Sequence, residues 1–211
     1  MIDRSTYLGS HATSAILGRN PFVGKADIYC QALGIPDGKK PSQSMQMGLY
    51  FEEHILHWYE KNTGCKVSRQ QEQVTHPKYP FIAGHVDGIV EGEPPHGVDA
   101  KLGSPFYMKE WGSEDNQIPE AYYLQCQHFM LCTGYPRWDI FLMCGTHLKN
   151  YPIDANPEIQ KLVEDTLVTS WAEIEELRKI KAADATEFQN RMFAIAAEDQ
   201  KAKENGDVYP A

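Results

Sequence analysis

No stretch of this chain approaches the roughly 18 consecutive apolar residues that cross a bilayer, and its opening segment, MIDRSTYLGS, lacks the apolar core of a secretion signal. A cytoplasmic protein without membrane contact is the expectation. Cysteine is sparse, and Cys30, Cys65, Cys126, Cys132 and Cys144 form an odd set with no CxxC pair. That excludes a disulfide framework and a zinc ribbon and leaves reduced, mostly buried thiols. Basic residues are outnumbered, 20 against 29 acidic, for a net charge of -9. Passive coating of nucleic acid, which needs a basic surface to release counterions, is thereby excluded. An enzyme that gathers its few cations in one groove is not. Internal repeats and low-complexity linkers are also lacking. What is present is 211 residues with 42% hydrophobic content, enough for one substantial core, so residues 1–211 are expected to form a single domain.

The apolar pattern predicts an α, β, α succession. Ser10 is the expected N-cap of a short helix running through Leu17 and closed by Gly18, and Lys25 to Ala32 reads as a second helix ended by Gly34. From Ser44 to Asn62, the residues Met47, Phe51, Ile55 and Tyr59 recur every four positions, an amphipathic stripe, and Gly64 stops it. Strand-like runs follow at Cys65 to Arg69, Phe81 to Val90 and Gly97 to Leu102, the last two joined as a hairpin by EGEPPHG. A helix from Pro119 to Cys132 precedes strands at Trp138 to Met143 and His147 to Ile153. Beyond Pro157 the chain turns helical, with Trp171, Ile174 and Leu177 on a packed face and EDQKAKENGD as a solvated tail.

The most telling chemistry lies on the predicted hairpin. Asp87, an eleven-residue gap, and then Asp99-Ala100-Lys101 bring two acids and a lysine together. Strand carboxylates that converge repel each other unless a divalent cation lies between them, and a lysine two residues after the second acid points to the same face, where it can steer or deprotonate a water. This is the pattern of a metal nuclease. Three neighbours add weight. Glu52 lies beside the apolar stripe of the long helix, and Gly48, one turn earlier, leaves room for a strand or a phosphate backbone to approach. Gln125 is a polar amide on the same helical face as Tyr122 and Phe129, so it needs a partner. Arg4, with Ser10 at a predicted helix start, makes an anion cradle.

Together these residues resemble the YqaJ-like viral recombinases, the phage-type alkaline exonucleases that include lambda exonuclease. The elements run in the family's order: Arg4 and GSHATSAILGRNPF, MGLYFEE, HPKYPFIAGHVDG, VDAK, IPEAYYLQCQHFMLCTGY and LVTSWAEI. The resemblance implies an α/β (α+β) fold with a restriction-endonuclease-like core, a mixed central sheet flanked by helices, as one PD-(D/E)xK domain with C-terminal helices. It implies Mg²⁺-dependent 5′ to 3′ digestion of linear double-stranded DNA, leaving 3′ single-stranded overhangs for recombination, with Mn²⁺ as an alternative metal and two ions per site. Asp87, Asp99 and the backbone carbonyl of Ala100 would be metal ligands, Glu52 a direct or water-mediated one, and Lys101 would orient or activate the attacking water. Arg4, Ser10 and Gln125 match the pocket for the terminal 5′-phosphate. A homotrimeric ring around DNA ends and a single-strand annealing protein are the implied partners, in a host cytoplasm if the chain is phage-encoded.

Two positions depart from the family pattern. Asp99 stands where glutamate is usual, one methylene shorter, and His85 stands where lambda exonuclease has a phosphate-binding serine. Other residues carry less weight. His54 and His57 invite a zinc site but lack the HExxH order. Tyr122, Tyr123, Trp111 and Phe106 are placed to stack on a frayed base or to pack in the core, and Lys39, Lys40, Lys66, Arg69 and Lys109 to line a basic groove. Two alternatives stay open: an endonuclease of the same fold, and a non-catalytic DNA-end-binding protein. An iron-sulfur version would need late cysteines, and none follows Cys144; a non-catalytic binder would have no need of the intact set Glu52, Asp87, Asp99 and Lys101.

Overall fold

Thirteen elements follow one another in the computed structural model, which describes residues 4–36, 40–68, 71–104, 111–112 and 117–204. Two short helices, α1 (Ala12–Ile16) and α2 (Lys25–Ala32), precede the long α3 (Gln43–Thr63). Five strands follow, β1 (Val67–Ser68), β2 (Gln73–Thr75), β3 (Ala83–His85), β4 (Gly88–Val90) and β5 (His96–Leu102). Helix α4 (Glu120–Thr133) leads to β6 (Arg137–Cys144) and β7 (His147–Asp154), and α5 (Pro157–Ala183) and α6 (Ala185–Glu204) complete the chain. The main sheet has the order β1-β4-β5-β6-β7, and β2 and β3 form a separate ribbon. Only β5 and β6 run parallel, because the crossover between them passes through α4, whereas the other neighbours are antiparallel. A mixed sheet flanked by helices is therefore the observed architecture.

Helix α3 covers one face, where Ile55, Leu56 and Tyr59 pack with Val90, Val98 and Phe141. Helix α4 covers the other, with Phe129 and Met130 against Trp138, Ile140 and Leu142. A third apolar cluster joins α1, α2, α4 and α5 through Leu8, Tyr29, Leu124, Leu167 and Ile174. Gly97 is required where it stands: a Cβ there would lie 2.2 Å from the Trp138 indole, which crosses β5 to stack on Phe129 at 5.0 Å. The parallel register then decides which way the acids point. Asp99 lies opposite Ile140 and Lys101 opposite Leu142, so both side chains project to the α4 face.

Several sequence expectations are revised. The run from Phe81 to Val90 is two strands, because β3 pairs with β2, β4 pairs with β1 and β5, and the chain changes partner at Val86-Asp87. Ser10 caps no helix: the α1 N-cap is His11, and a turn closed by Ala12 N–H donating to Gly9 O (2.9 Å) carries the chain past Ser10. The N-cap of α3 is Ser42, and only the second half of its stripe is buried; Met47 is 44% exposed, Leu49 and Tyr50 72% each. Among the described residues nothing lies within 4 Å of a Cβ at Gly48, and none of the described strands approaches there. The tail is not simply solvated, since the Asp199 carboxylate accepts from the backbone N–H groups of Lys25 (3.1 Å) and Ala26 (2.6 Å) and caps α2 from α6. All five cysteines are outside disulfides, and no helix among the described residues is long and apolar enough to cross a membrane.

Candidate active site

The change of partner at Val86-Asp87 creates the site. Leaving the β2–β3 ribbon, Asp87 turns its carboxylate toward β5 and accepts from Ala100 N–H at 2.8 Å, filling a ladder position that a backbone carbonyl would otherwise take. That hydrogen bond sets Asp87 beside Asp99, which is fully buried. Both Asp99 oxygens lie out of reach of solvent and, among the described residues, accept no well-oriented hydrogen bond; Lys101 is the opposite charge beside them, with Nζ 2.6 Å from Oδ2. Burial, and then the charge of Asp99, hold the Asp87 carboxyl well above the usual carboxylate range. For Lys101, burial disfavours the ammonium, but the charges of Asp99 and Asp87 outweigh it and hold the amine protonated. In this state Lys101 is a proton donor, not a base.

Glu52 reaches the same place from α3. Burial raises its carboxyl, opposed by a hydrogen bond from Gln71 and the charge of Lys101. Gln71 Nε2 donates to Glu52 Oε1, and among the described residues no three His, Cys, Asp or Glu side chains stand close enough to share an ion. Glu52 thus faces the pair of aspartates electrostatically without joining them in a ligand cluster. Below them Cys126 is fully buried, and burial followed by the charge of Asp99 pushes its thiol well up, leaving it neutral and unsuited to nucleophilic work. Tyr122, in the first turn of α4, places its ring 5.2 Å from Lys101 Nζ. Asp87 and Asp99 are the side chains here whose oxygens could hold a hard cation, and the Lys101 ammonium beside them could meet an anionic group.

Of the residues expected to receive a terminal phosphate, Arg4 and Ser10 lie on the segment beside β3, His85 on β3 itself and Gln125 on α4. Leu8 forms a parallel bridge with Ile82, which lays the segment from Arg4 to Ser10 along β3 and brings the Tyr7 ring to 6.2 Å from that of His85, two residues before Asp87. Arg4 is exposed, His85 and Gln125 are half-buried, and Ser10 is buried at 8%. The buried amide that binds backbone on α4 is the neighbouring Gln127, which donates to Asp154 O at 2.8 Å and accepts from Asn156 N–H at 2.9 Å. His11 and His128 are neutral; burial, reinforced at His11 by the charge of Arg4, lowers each to about 4. Of the proposed basic wall, Lys40 is exposed and Lys66 sits 3.8 Å from Glu91, while Lys39, Arg69, Lys109 and the aromatic Phe106 lie outside the described residues. Sequence reasoning missed Gln71 as a partner of Glu52 and Tyr122 as a partner of Lys101. Gln71 carried no signal, since it enters through a left-handed backbone position (φ 56°). Tyr122 carried one, its place one turn before Gln125 on the same face of α4.

Residues 2–136 match the YqaJ-like viral recombinase domain family. The uncharacterized protein YqaJ of Bacillus subtilis is 31% identical over 135 residues, 64% of this chain, and the match spans about two fifths (41%) of that relative's length. Among solved structures, an alkaline exonuclease from Laribacter hongkongensis (LHK-Exo) superposes with a TM-score of 0.63 at 21% identity, covering 85% of this chain and 95% of the other. It has also been crystallised with dAMP. A phage-related exonuclease from Haemophilus somnus gives 0.60 at 14% identity, covering 81% and 94%. These likenesses establish a shared restriction-endonuclease-like fold.

Proposed function

Because this chain belongs to the YqaJ-like viral recombinase family, we propose that it is a metal-dependent deoxyribonuclease that digests linear double-stranded DNA from the 5′ end and leaves 3′ overhangs for recombination. The observation that carries this reading is Asp99, wholly buried, with both oxygens lacking well-oriented donors, beside Asp87 and 2.6 Å from the Lys101 ammonium. A protein keeps a like-charged pair with one buried member where an ion or a substrate offsets it. Its structural neighbours include an alkaline exonuclease and a phage-related exonuclease, which points the same way.

Asp87 and Asp99 suit a hard cation such as Mg²⁺, or Mn²⁺ in its place, which typically takes one or two protein carboxylates plus substrate phosphate oxygens. With the Ala100 carbonyl they would hold one ion, and Glu52, once released by Gln71, would serve a second directly or through water. Bound there, the metal would supply an activated water and neutralise charge on the scissile phosphate. Lys101, held as an ammonium, donates to the attacking water or a phosphate oxygen and fixes its approach. It does not take the proton, which leaves for solvent or a phosphate oxygen. Arg4, Ser10, Gln125 and His85 would receive the terminal 5′-phosphate, setting direction and a one-nucleotide step. A homotrimeric ring around the DNA end and a single-strand annealing partner belong to the same reading.

Linear duplexes labelled at either end and bearing 5′-phosphate or 5′-hydroxyl termini test it. The expected result is loss of the 5′ label first, as mononucleotide, with faster digestion of phosphorylated ends that Arg4→Ala and Gln125→Ala reduce. Equal rates on both termini in the unmutated protein would remove the end pocket; release of the 3′ label first would reverse the direction.

A further inference from the structure

We propose that Tyr122 is a positioning residue for Lys101, a π-face anchor that holds the ammonium in place whether or not metal occupies the carboxylates; this rests on the nuclease reading above. Among the described residues, Lys101 meets the Asp99 carboxylate at 2.6 Å and the Tyr122 ring at 5.2 Å from its centroid. The first is not durable under that reading. A carboxylate that ligates a cation has less charge to offer an ammonium, and two cations sharing Asp99 repel each other. A lysine stem has four rotatable bonds, so a weakened ion pair would free its tip. The aromatic face attracts the ammonium through its quadrupole and has no oxygen lone pair directed at a metal, so it does not compete for the same ion.

The ring is also braced. Trp111 packs behind Tyr122 with centroids 5.4 Å apart and touches Tyr151 at 5.3 Å on its other side. Tyr151 is 2% exposed, and its hydroxyl donates to Gly112 O at 3.1 Å, as Lys149 Nζ does at 3.2 Å, so the residue following Trp111 is tied down twice. Tyr151 lies opposite Ile140, and Ile140 opposite Asp99, in the sheet register, so the Tyr151 end of this aromatic cluster shares the face of the acids. Shape alone would be met by any apolar side chain, whereas this arrangement presents a ring to a cation.

Two readouts test the proposal. In metal-free protein with isotope-labelled lysine, the ε-methylene protons of Lys101, assigned by their absence in Lys101→Met, should be shifted upfield by the Tyr122 ring current. Tyr122→Phe should keep that shift, Tyr122→Leu should lose it, and added Mg²⁺ should leave it in place in the unmutated protein. On linear duplex DNA, Tyr122→Leu should lower kcat about ten-fold with KM within about two-fold, and Tyr122→Phe should recover all but about two- to three-fold. Full kcat in Tyr122→Leu, or an unshifted Lys101 signal in the unmutated protein, would overturn the anchor while leaving the nuclease reading intact. An unmutated protein inert on DNA would sink the nuclease reading, with the ring-current shift still deciding whether Tyr122 holds Lys101. Should Tyr122→Leu not fold, Tyr122→Met, equally without a π face, gives the same comparison.

Discussion

At the scale of single residues, the site holds charge that the fold alone does not need. Asp87 and Asp99 sit side by side, and among the described residues Ala100 N–H and the Lys101 ammonium offset their repulsion. Asp87→Asn keeps an acceptor for Ala100 N–H and removes one charge. The metal-free variant should therefore melt higher, by about 2–4 °C for each kcal/mol of repulsion relieved. Saturating Mg²⁺ should raise the melting temperature of the unmutated protein and leave Asp87→Asn nearly unmoved. A lower melting point for the metal-free variant, or equal Mg²⁺ shifts in both, would contradict this. Lys101→Ala should cost about a hundred-fold or more in turnover, since it removes a donor aimed at the reacting atoms, while gel shifts show DNA binding retained. The acids and the lysine were legible because a hairpin with period-two alternation puts residues 99 and 101 on one face. Gln71 was not, since its partner Glu52 lies 19 positions earlier and is met only through the folded structure; Tyr122 was legible as a neighbour of Gln125 on α4 but not as the partner of Lys101, 21 positions earlier.

At the scale of elements, helices with clear stop signals were readable. Gly34, Gly64 and Gly134 each take a positive φ where α2, α3 and α4 end. The split between β3 and β4 was not, because Phe81 to Val90 is strand-like throughout and the break comes from a change of hydrogen-bonding partner. Helix α6 was readable as a helix but not as a clasp. Its Asp199 caps α2 from 173 residues away, a pairing no local pattern encodes. Asp199→Ala should cost about 1 kcal/mol, the worth of an N-cap, and lower the melting temperature by about 2–4 °C. Hydrogen exchange should quicken in α2 and α6 before the central strands; uniform protection as in the unmutated protein would show that the clasp carries no stability.

At the scale of the whole molecule, two buried neutral histidines make the fold sensitive to mild acid. In the unfolded chain these imidazoles take up protons as pH falls below about 6.5, but in the folded protein His11 and His128 do so only near about 4. Between those values the unfolded state binds more protons, so their contribution to stability is full above pH 6.5 and is lost as pH falls toward 4. Urea midpoints measured from pH 7 to 4.5 should fall, and His128→Gln should flatten part of the slope; an unchanged slope would remove His128 from the account. The acidic net charge of -9 belongs at this scale too, because under the proposed function it would confine DNA contact to a local groove. The most direct test of the central claim is mononucleotide release from a linear duplex with 5′-phosphate ends, run beside the same DNA as a closed circle, with Mg²⁺ or with EDTA. The account predicts release from the linear form alone and only with Mg²⁺. Cutting of the circle, or no digestion under any divalent metal, would contradict it.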